Sequence, residues 1–276
     1  MRATLLTFDD HAAVQALLSG SVAESVFLTG MLERGPIGSR AGEQWWGAWD
    51  ASGGLCGVAF CSPGPTSAGP GLWVFTGHGE AASALAHAMR GIDLPSMSIG
   101  PRDLVDETWA ALESPPPSLQ TDSIHMCCTE VTTADTLKVR PARMTDLAWL
   151  REVSVAMMRE DLGFDPRQQD PQAHETRLRA GILSGRSWIG TQHAHPVFRL
   201  EVGTRSSAGI QVGGTWVPPQ ARGRGIAKQG MAAVCRALLQ DNPRVTLHVR
   251  EDNHPAVQCY SRIGFVRGAP LRLRVG

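Results

Sequence analysis

Apolar positions along this chain switch repeatedly between the two-residue period of strands and the three-to-four-residue period of helices, and the succession is written twice. In the first half, helical patterns cover residues 10–18 and 22–32. Strand-like runs follow at 44–49, 55–61 and 72–75, then a helix at 80–89, a short strand at 96–99 and a helix at 104–112. The stiff Pro115-Pro116-Pro117 run precedes a strand at 124–131. The polar Thr132-Thr133-Ala134-Asp135-Thr136 reads as a linker, after which the order restarts. A strand at 137–140 leads to helices at 146–158, with Thr145 as expected N-cap, and 173–183. Strands are expected at 187–191, 197–202 and 209–217, then a helix, a strand at 245–249, a helix at 255–263 and a closing strand at 271–275.

The stretch with the most chemical content is Gly214-Thr215-Trp216-Val217-Pro218-Pro219-Gln220-Ala221-Arg222-Gly223-Arg224-Gly225-Ile226-Ala227. A strand-like run meets two prolines, which cannot continue a sheet ladder. Two glycines and two arginines follow. A helical face then opens with Ala227, Met231, Val234, Cys235 and Leu238. The first N–H groups of a helix have no partner within it, and the helix dipole makes that end electropositive. Glycines at 223 and 225 let an anion reach the backbone with no Cβ in the way. Strand, glycine turn and helix start together form a phosphate cradle.

Gln220-x-x-Gly223-x-Gly225, followed by Ala227, resembles the acyl-CoA pyrophosphate loop of the GNAT superfamily of N-acetyltransferases. A second segment, Asn253, Ala256, Tyr260 and Gly264-Phe265 after the strand Val245-Thr246-Leu247-His248-Val249, is similar to that family's second cofactor segment. The resemblance spans roughly residues 137–276. It implies an α/β (α+β) fold of two tandem GNAT-like domains, each a mixed, mostly antiparallel sheet flanked by helices. Residues 1–132 are expected to be a degenerate copy and residues 133–276 the acyl-CoA-binding one. The first copy carries Thr76-Gly77-His78-Gly79-Glu80 at the loop position. With no flanking arginine and Glu80 facing an incoming phosphate, it is expected not to bind CoA but to wall the acceptor site.

Composition adds few constraints. The 276 residues favour two domains, and 42% apolar with 19% charged residues is ordinary for a soluble protein. Formal net charge is zero, and the basic residues are scattered, which argues against nucleic acid. No run is long enough for a membrane span. Six cysteines without regular spacing suit a reduced, cytoplasmic setting. His193-x-His195 lacks the further ligands a metal site needs, so no metal is expected.

The resemblance implies acetyl transfer from acetyl-CoA to a primary amine, directly and in a ternary complex. The amine acceptor is a small molecule or peptide, and the chain a monomer or homodimer. Trp216, Val217, Gln220, Arg222, Gly223, Arg224, Gly225, Ile226 and Ala227 would hold the cofactor, with a backbone N–H near Val217 meeting the developing oxyanion. The side chains of Arg222 and Arg224 are read either as phosphate partners or as solvated charges. Asn253 is either an N-cap, a pantetheine contact, or both, and Ala256 lies beside it. Tyr260, the only tyrosine, occupies the family's general-acid position, or else is a core aromatic on the face of Ala256 and Ile263. Glu201 is the candidate base, with a plain surface carboxylate as the alternative. Glu160 and Asp161 are candidate acceptor contacts. Two other readings stay open: a non-catalytic CoA-binding or regulatory module, and a related transferase using aminoacyl-tRNA as donor.

Overall fold

A computed structural model describes residues 1–63, 71–113, 115–134, 136–163 and 165–276. The order strand, two helices, three strands, helix, strand, helix, strand occurs in both halves. The first half runs β1 (Arg2–Leu5), α1 (His11–Ser19), α2 (Val26–Leu32), β2 (Gln44–Trp49), β3 (Leu55–Ser62), β4 (Leu72–Gly77), α3 (Ala82–Ala88), β5 (Met97–Pro101), α4 (Arg102–Ala111) and β6 (Leu119–Cys128). The second runs β7 (Lys138–Pro141), α5 (Leu147–Leu162), α6 (Pro166–Gln169), α7 (Pro171–Leu183), β8 (Ser187–Gln192), β9 (His195–Ser206) and β10 (Gly209–Trp216). It closes with α8 (Ile226–Leu238), β11 (Val245–Arg250), α9 (His254–Ile263) and β12 (Val266–Val275). The extra one-turn helix α6 is the only addition to the repeated order in the second half among the described residues.

Several local expectations shift. Strand β1 escaped the pattern reading because it is an edge strand with no buried residue. Strand β6 starts five residues earlier than expected, since Leu119–Asp122 pair with β12 rather than with local neighbours. Thr145 does not cap α5. It lies inside a 3-10 turn, and Asp146 takes the structural role: its carboxylate accepts from the Arg143 N–H at 2.7 Å and from Arg140 at 2.8 and 3.0 Å. In the linker, Thr132 donates its N–H to the Ile263 carbonyl at 2.8 Å, while Asp135 lies outside the described residues.

All strands belong to one sheet, ordered β1-β2-β3-β4-β5-β12-β6-β11-β10-β9-β8-β7. Among the described residues only the β4–β5 and β10–β11 pairs are parallel; the others are antiparallel. The order reads the same from both ends when each first-half strand is exchanged for its second-half counterpart. The two halves have therefore traded their last strands. β12 lies between β5 and β6, and β6 lies between β12 and β11. Side chains fasten the trade: Arg272 of β12 binds Asp106 of α4 at 2.7 and 2.8 Å and reaches Asp122 of β6. Helix α2 packs on β9 so closely that a Cβ on Gly30 would come within 2.4 Å of the Thr204 methyl.

Under the second half, Met231, Val234, Cys235 and Leu238 of α8 pack with Phe198, Leu200, Ile210, Val245 and Leu247. That apolar face fixes the helix start at the end of β10, where the glycine turn lies. Residues 133–276 produced alone lack β6, so β11 and β12 present unpaired edges and are expected to aggregate. Co-production with residues 1–132 should restore a soluble one-to-one complex, read by size-exclusion chromatography. A monomeric second half with cooperative unfolding would contradict the interlock.

Candidate active site

The site begins as a defect in the sheet. The parallel ladder between β10 and β11 holds only Ile210 to Val245 and Gln211 to Thr246, although β10 continues to Trp216 and β11 to Arg250. On its other edge, β10 pairs Gly213 with Glu201 but Trp216 with Arg199, so one extra residue is inserted. Gly214, at φ 56°, lies in that insertion. A bulge bends its strand and increases the local twist. Here it accompanies the departure of β10 from β11, and the facing backbone edges beyond Gln211 lose their ladder partners. Beyond Gln211 and Thr246 the two strands are therefore splayed apart.

Pro218 and Pro219 end β10, and a tight turn carries Ala221 N–H to the Pro218 carbonyl at 2.8 Å. Gly223 and Gly225 both take left-handed backbone angles, at φ 75° and 73°. Gly225 is the N-cap of α8. A Cβ built on Gly223 meets no other atom within 4 Å, and one on Gly225 meets only the Gln229 amide at 3.7 Å. Open space therefore stands over backbone N–H groups that have no partner in the helix. Unpartnered N–H groups at a helix start of this kind favour an anion.

A cleft of about 830 Å³ runs through the fork. Among the expected residues, Trp216, Val217, Arg222, Gly223, Gly225, Ile226, Ala227, Asn253, Ala256 and Tyr260 line it, as do Glu160 and Asp161. Gln220, Arg224 and Glu201 do not. Thr215, Lys228, Gln258, Cys259 and Arg262 also face it and escaped the sequence reading. Lys228 was within reach of that reading: it is a cation three residues beyond the turn glycine, in the first turn of α8.

Charges in the cleft separate into used and unused ones. Arg222 donates Nε to the Val217 carbonyl at 3.0 Å and both terminal nitrogens to the Glu160 carboxylate at 2.7 and 2.8 Å. Its guanidinium also lies 5.6 Å from the centre of the Trp216 ring. The Arg222 hydrogen bond holds the Glu160 carboxyl below its ordinary value. Both partners are substantially exposed, so the pair contributes little stability. It nevertheless ties the turn to the end of α5. Asp161 shows no ion pair among the described residues. Desolvation by the surrounding cleft wall, then the Glu160 charge, push its pKa up, although one face of the residue stays open to solvent.

Tyr260 is half-buried on the α9 wall, 5.7 Å from Phe265 between ring centres, with the Thr215 side chain beside its hydroxyl. Burial pushes its pKa up to about 12, against the smaller opposing effect of Thr215. The Asn253 carboxamide accepts the Ala256 N–H at 3.2 Å, so capping is one of its roles. Glu201 is engaged elsewhere. It accepts from the buried Arg199 at 2.9 Å and from Ser187 at 3.3 Å, beneath α7. Its charge neutralises a guanidinium that is only 4% exposed, which leaves it poorly placed to act as a base in the cleft.

The corresponding place in the first half is filled. β4 and β5 also part after three pairs, but a Cβ on Gly79 would lie 3.4 Å from Asp103 and 3.6 Å from the Glu107 carboxylate. Trp109 donates to Ser98 at 3.0 Å and packs against Trp73 and Arg274. Glu80, Asp103 and Glu107 are acids clustered near the counterpart turn.

Residues 150–265 match the family model described as the Acetyltransferase (GNAT) family. No curated protein matches the chain in sequence. Among solved structures, a Drosophila protein superposes with a TM-score of 0.67 at 12% identity, over 99% of this chain and 98% of its own. A GNAT acetyltransferase from Colwellia psychrerythraea gives 0.57 at 12% identity, with 100% of both chains covered. A tandem GNAT protein from the clavulanic acid biosynthesis pathway gives 0.54 at 14% identity, over 100% of this chain and 98% of its own. At these identities the likeness is one of fold, and the last of these shares the paired arrangement.

Gly225→Trp should place an indole in the cleft at a strain cost of about 1–2 kcal/mol. Calorimetry is expected to show CoA binding lost in a still-folded protein; undiminished affinity would contradict the cradle. Glu201→Ala should leave the buried Arg199 without its acceptor and lower stability by roughly 1–3 kcal/mol. Its CoA affinity should be unchanged, and an unchanged melting temperature would contradict the structural role.

Proposed function

Because residues 150–265 belong to the GNAT acetyltransferase family, we propose that this chain moves an acetyl, or closely related acyl, group from acetyl-CoA to a primary amine by direct transfer in a ternary complex. The observation that carries the reading is the fork itself. An open glycine cradle lies on one side of a parted strand pair, and a protonated phenol lies on the other. Acyl transfer is the chemistry of the family, and acetyl-CoA supplies an activated thioester.

The residues divide the work as follows. Backbone N–H groups of 223–227 hold the diphosphate, and the β10 edge beyond Gln211 offers unpaired backbone groups to the pantetheine arm. The N–H of Val217 or its neighbour stabilises negative charge developing on the thioester oxygen. The amine nitrogen bonds to the carbonyl carbon, and the carbon–sulfur bond breaks. Tyr260, kept protonated at neutral pH by its raised pKa, donates a hydrogen bond and then its proton to the sulfur as negative charge builds up there in the transition state. On the acceptor side, Glu160 and Asp161 hold a cationic amine. Asp161, free of an ion pair among the described residues, is the better placed of the two to accept its proton.

Residues 1–132, in this reading, form a copy that binds no CoA. Contrary to expectation none of the described ones lines the cleft, because α2 packs at the far end of β9 and β10, with Gly30 against Thr204 and Glu33 accepting from the Ser207 N–H at 3.0 Å. Residues 133–276 form the catalytic copy. Among the described residues no helix is long and apolar enough to cross a membrane. No group of three or more His, Cys, Asp or Glu side chains among them is arranged to hold a metal.

Thioester consumption with acetyl-CoA and a panel of primary amines tests the activity. Turnover of at least one amine supports it, and CoA binding without turnover would favour a non-catalytic module. Tyr260→Phe is expected to lower kcat by about 10²-fold or more while leaving CoA affinity unchanged. Since the raised pKa keeps the phenol protonated, wild-type kcat should not fall as pH rises through the ordinary tyrosine value near 10. An unchanged kcat in the variant at saturating donor would remove Tyr260 from the mechanism.

A further inference from the structure

Coenzyme A carries three phosphoryl groups, and the glycine turn accounts for two. The third is a monoester on the 3′ carbon of the ribose, close to doubly charged at neutral pH. Two cations on the cleft wall have no assigned partner: Lys228 in the first turn of α8 and Arg262 in the last turn of α9. Neither makes an ion pair or a side-chain hydrogen bond among the described residues. That sets them apart from Arg140, Arg151, Arg167, Arg199, Arg222 and Arg250, which are all tied to carboxylates.

The placement of Lys228 runs against ordinary helix electrostatics. A cation in the first turn adds to the positive end of the dipole and costs stability unless an anion is present. Arg224 lies four residues before it with no ion pair of its own among the described residues, so no local carboxylate offsets the charge. Helices α8 and α9 pack together, and the Cys259 thiol on the same wall feels both charges. Burial raises its pKa, while Lys228 and Arg262 each pull it down. The two cations thus act on one region of the wall, from different helices, beside the cradle that would hold the diphosphate.

We propose that Lys228 and Arg262 form a subsite for the 3′-phosphate of the donor's ribose, making the protein selective for CoA over donors that end in an unphosphorylated ribose. This assignment rests on the donor reading above and adds to it the part of the nucleotide that is recognised. An aminoacylated RNA end carries no such monoester and gains nothing from the subsite.

The test is calorimetric titration of the full chain, and of the Lys228→Ala/Arg262→Ala double variant, with CoA and with 3′-dephospho-CoA. Wild-type protein is expected to bind CoA about 10–100-fold more tightly than the dephospho form, as charge-assisted contacts to one phosphate allow. The double variant should lose that preference while its affinity for 3′-dephospho-CoA stays as in wild type. Equal affinities in wild type, or a preference that survives both substitutions, would overturn the subsite and leave the diphosphate cradle standing. If neither compound binds wild-type protein, the donor reading falls and the subsite with it. Both side chains reach solvent and hold no other group, so the variant folds and the comparison can be made.

Discussion

A parallel strand pair that stops after two register positions, while both strands continue, is the constraint on which this molecule depends. A sheet normally satisfies every interior N–H and carbonyl through its neighbour, and leaving such groups unpaired costs free energy. β10 leaves β11 after Gln211, where its register against β9 also shifts, a one-residue insertion follows between Gly213 and Trp216, and the sheet accepts an open edge in its middle. That edge becomes useful only because the chain next makes a glycine turn into α8. The chain thereby places unpaired backbone groups along β10 next to polarised N–H groups at the start of α8, the two features on which the proposed cofactor reading rests.

The exchanged strands explain how the defect is held open. β11 is supported on its far edge by β6, a strand from the other half of the chain, through six register pairs that run to Arg250. β12 returns the exchange beside β5. Arg102 of the first half binds Glu251 at 3.2 Å, directly after β11, and Arg267 of β12 binds the same carboxylate at 2.9 Å. The segment that leads into Asn253 and α9 is therefore positioned jointly by both halves. A half whose own counterpart cleft is packed with Trp73, Trp109 and acidic side chains still has a structural reason to be present.

Much of this was legible in the sequence because local rules carry it. The repeated element order, the proline stop at 218–219, the glycine turn and the apolar face of α8 are all written in spacing. The place of Tyr260 beside the cleft was legible as well, from its position in the second cofactor segment. What escaped depends on contacts between distant residues. The early start of β6 is set by its ladder with β12, and β1 buries nothing that would show as a period. In the sequence Arg222 could be a phosphate partner or a solvated charge, and in the structure it is bound to Glu160, sixty-two positions away in sequence. Glu201 has the alternation expected of a strand residue, but only the fold shows that its partner is the buried Arg199. Lys228 and Arg262 look like ordinary surface cations until two helices bring them to one wall.

The most direct measurement of the central claim is a crystal structure of the full chain grown with CoA. The diphosphate is expected within about 3 Å of backbone N–H groups from residues 223–227, the pantetheine arm along the free edge of β10, and the sulfur close to the Tyr260 hydroxyl. CoA bound away from the fork, or β10 and β11 paired along their full length with the cleft closed, would contradict that claim.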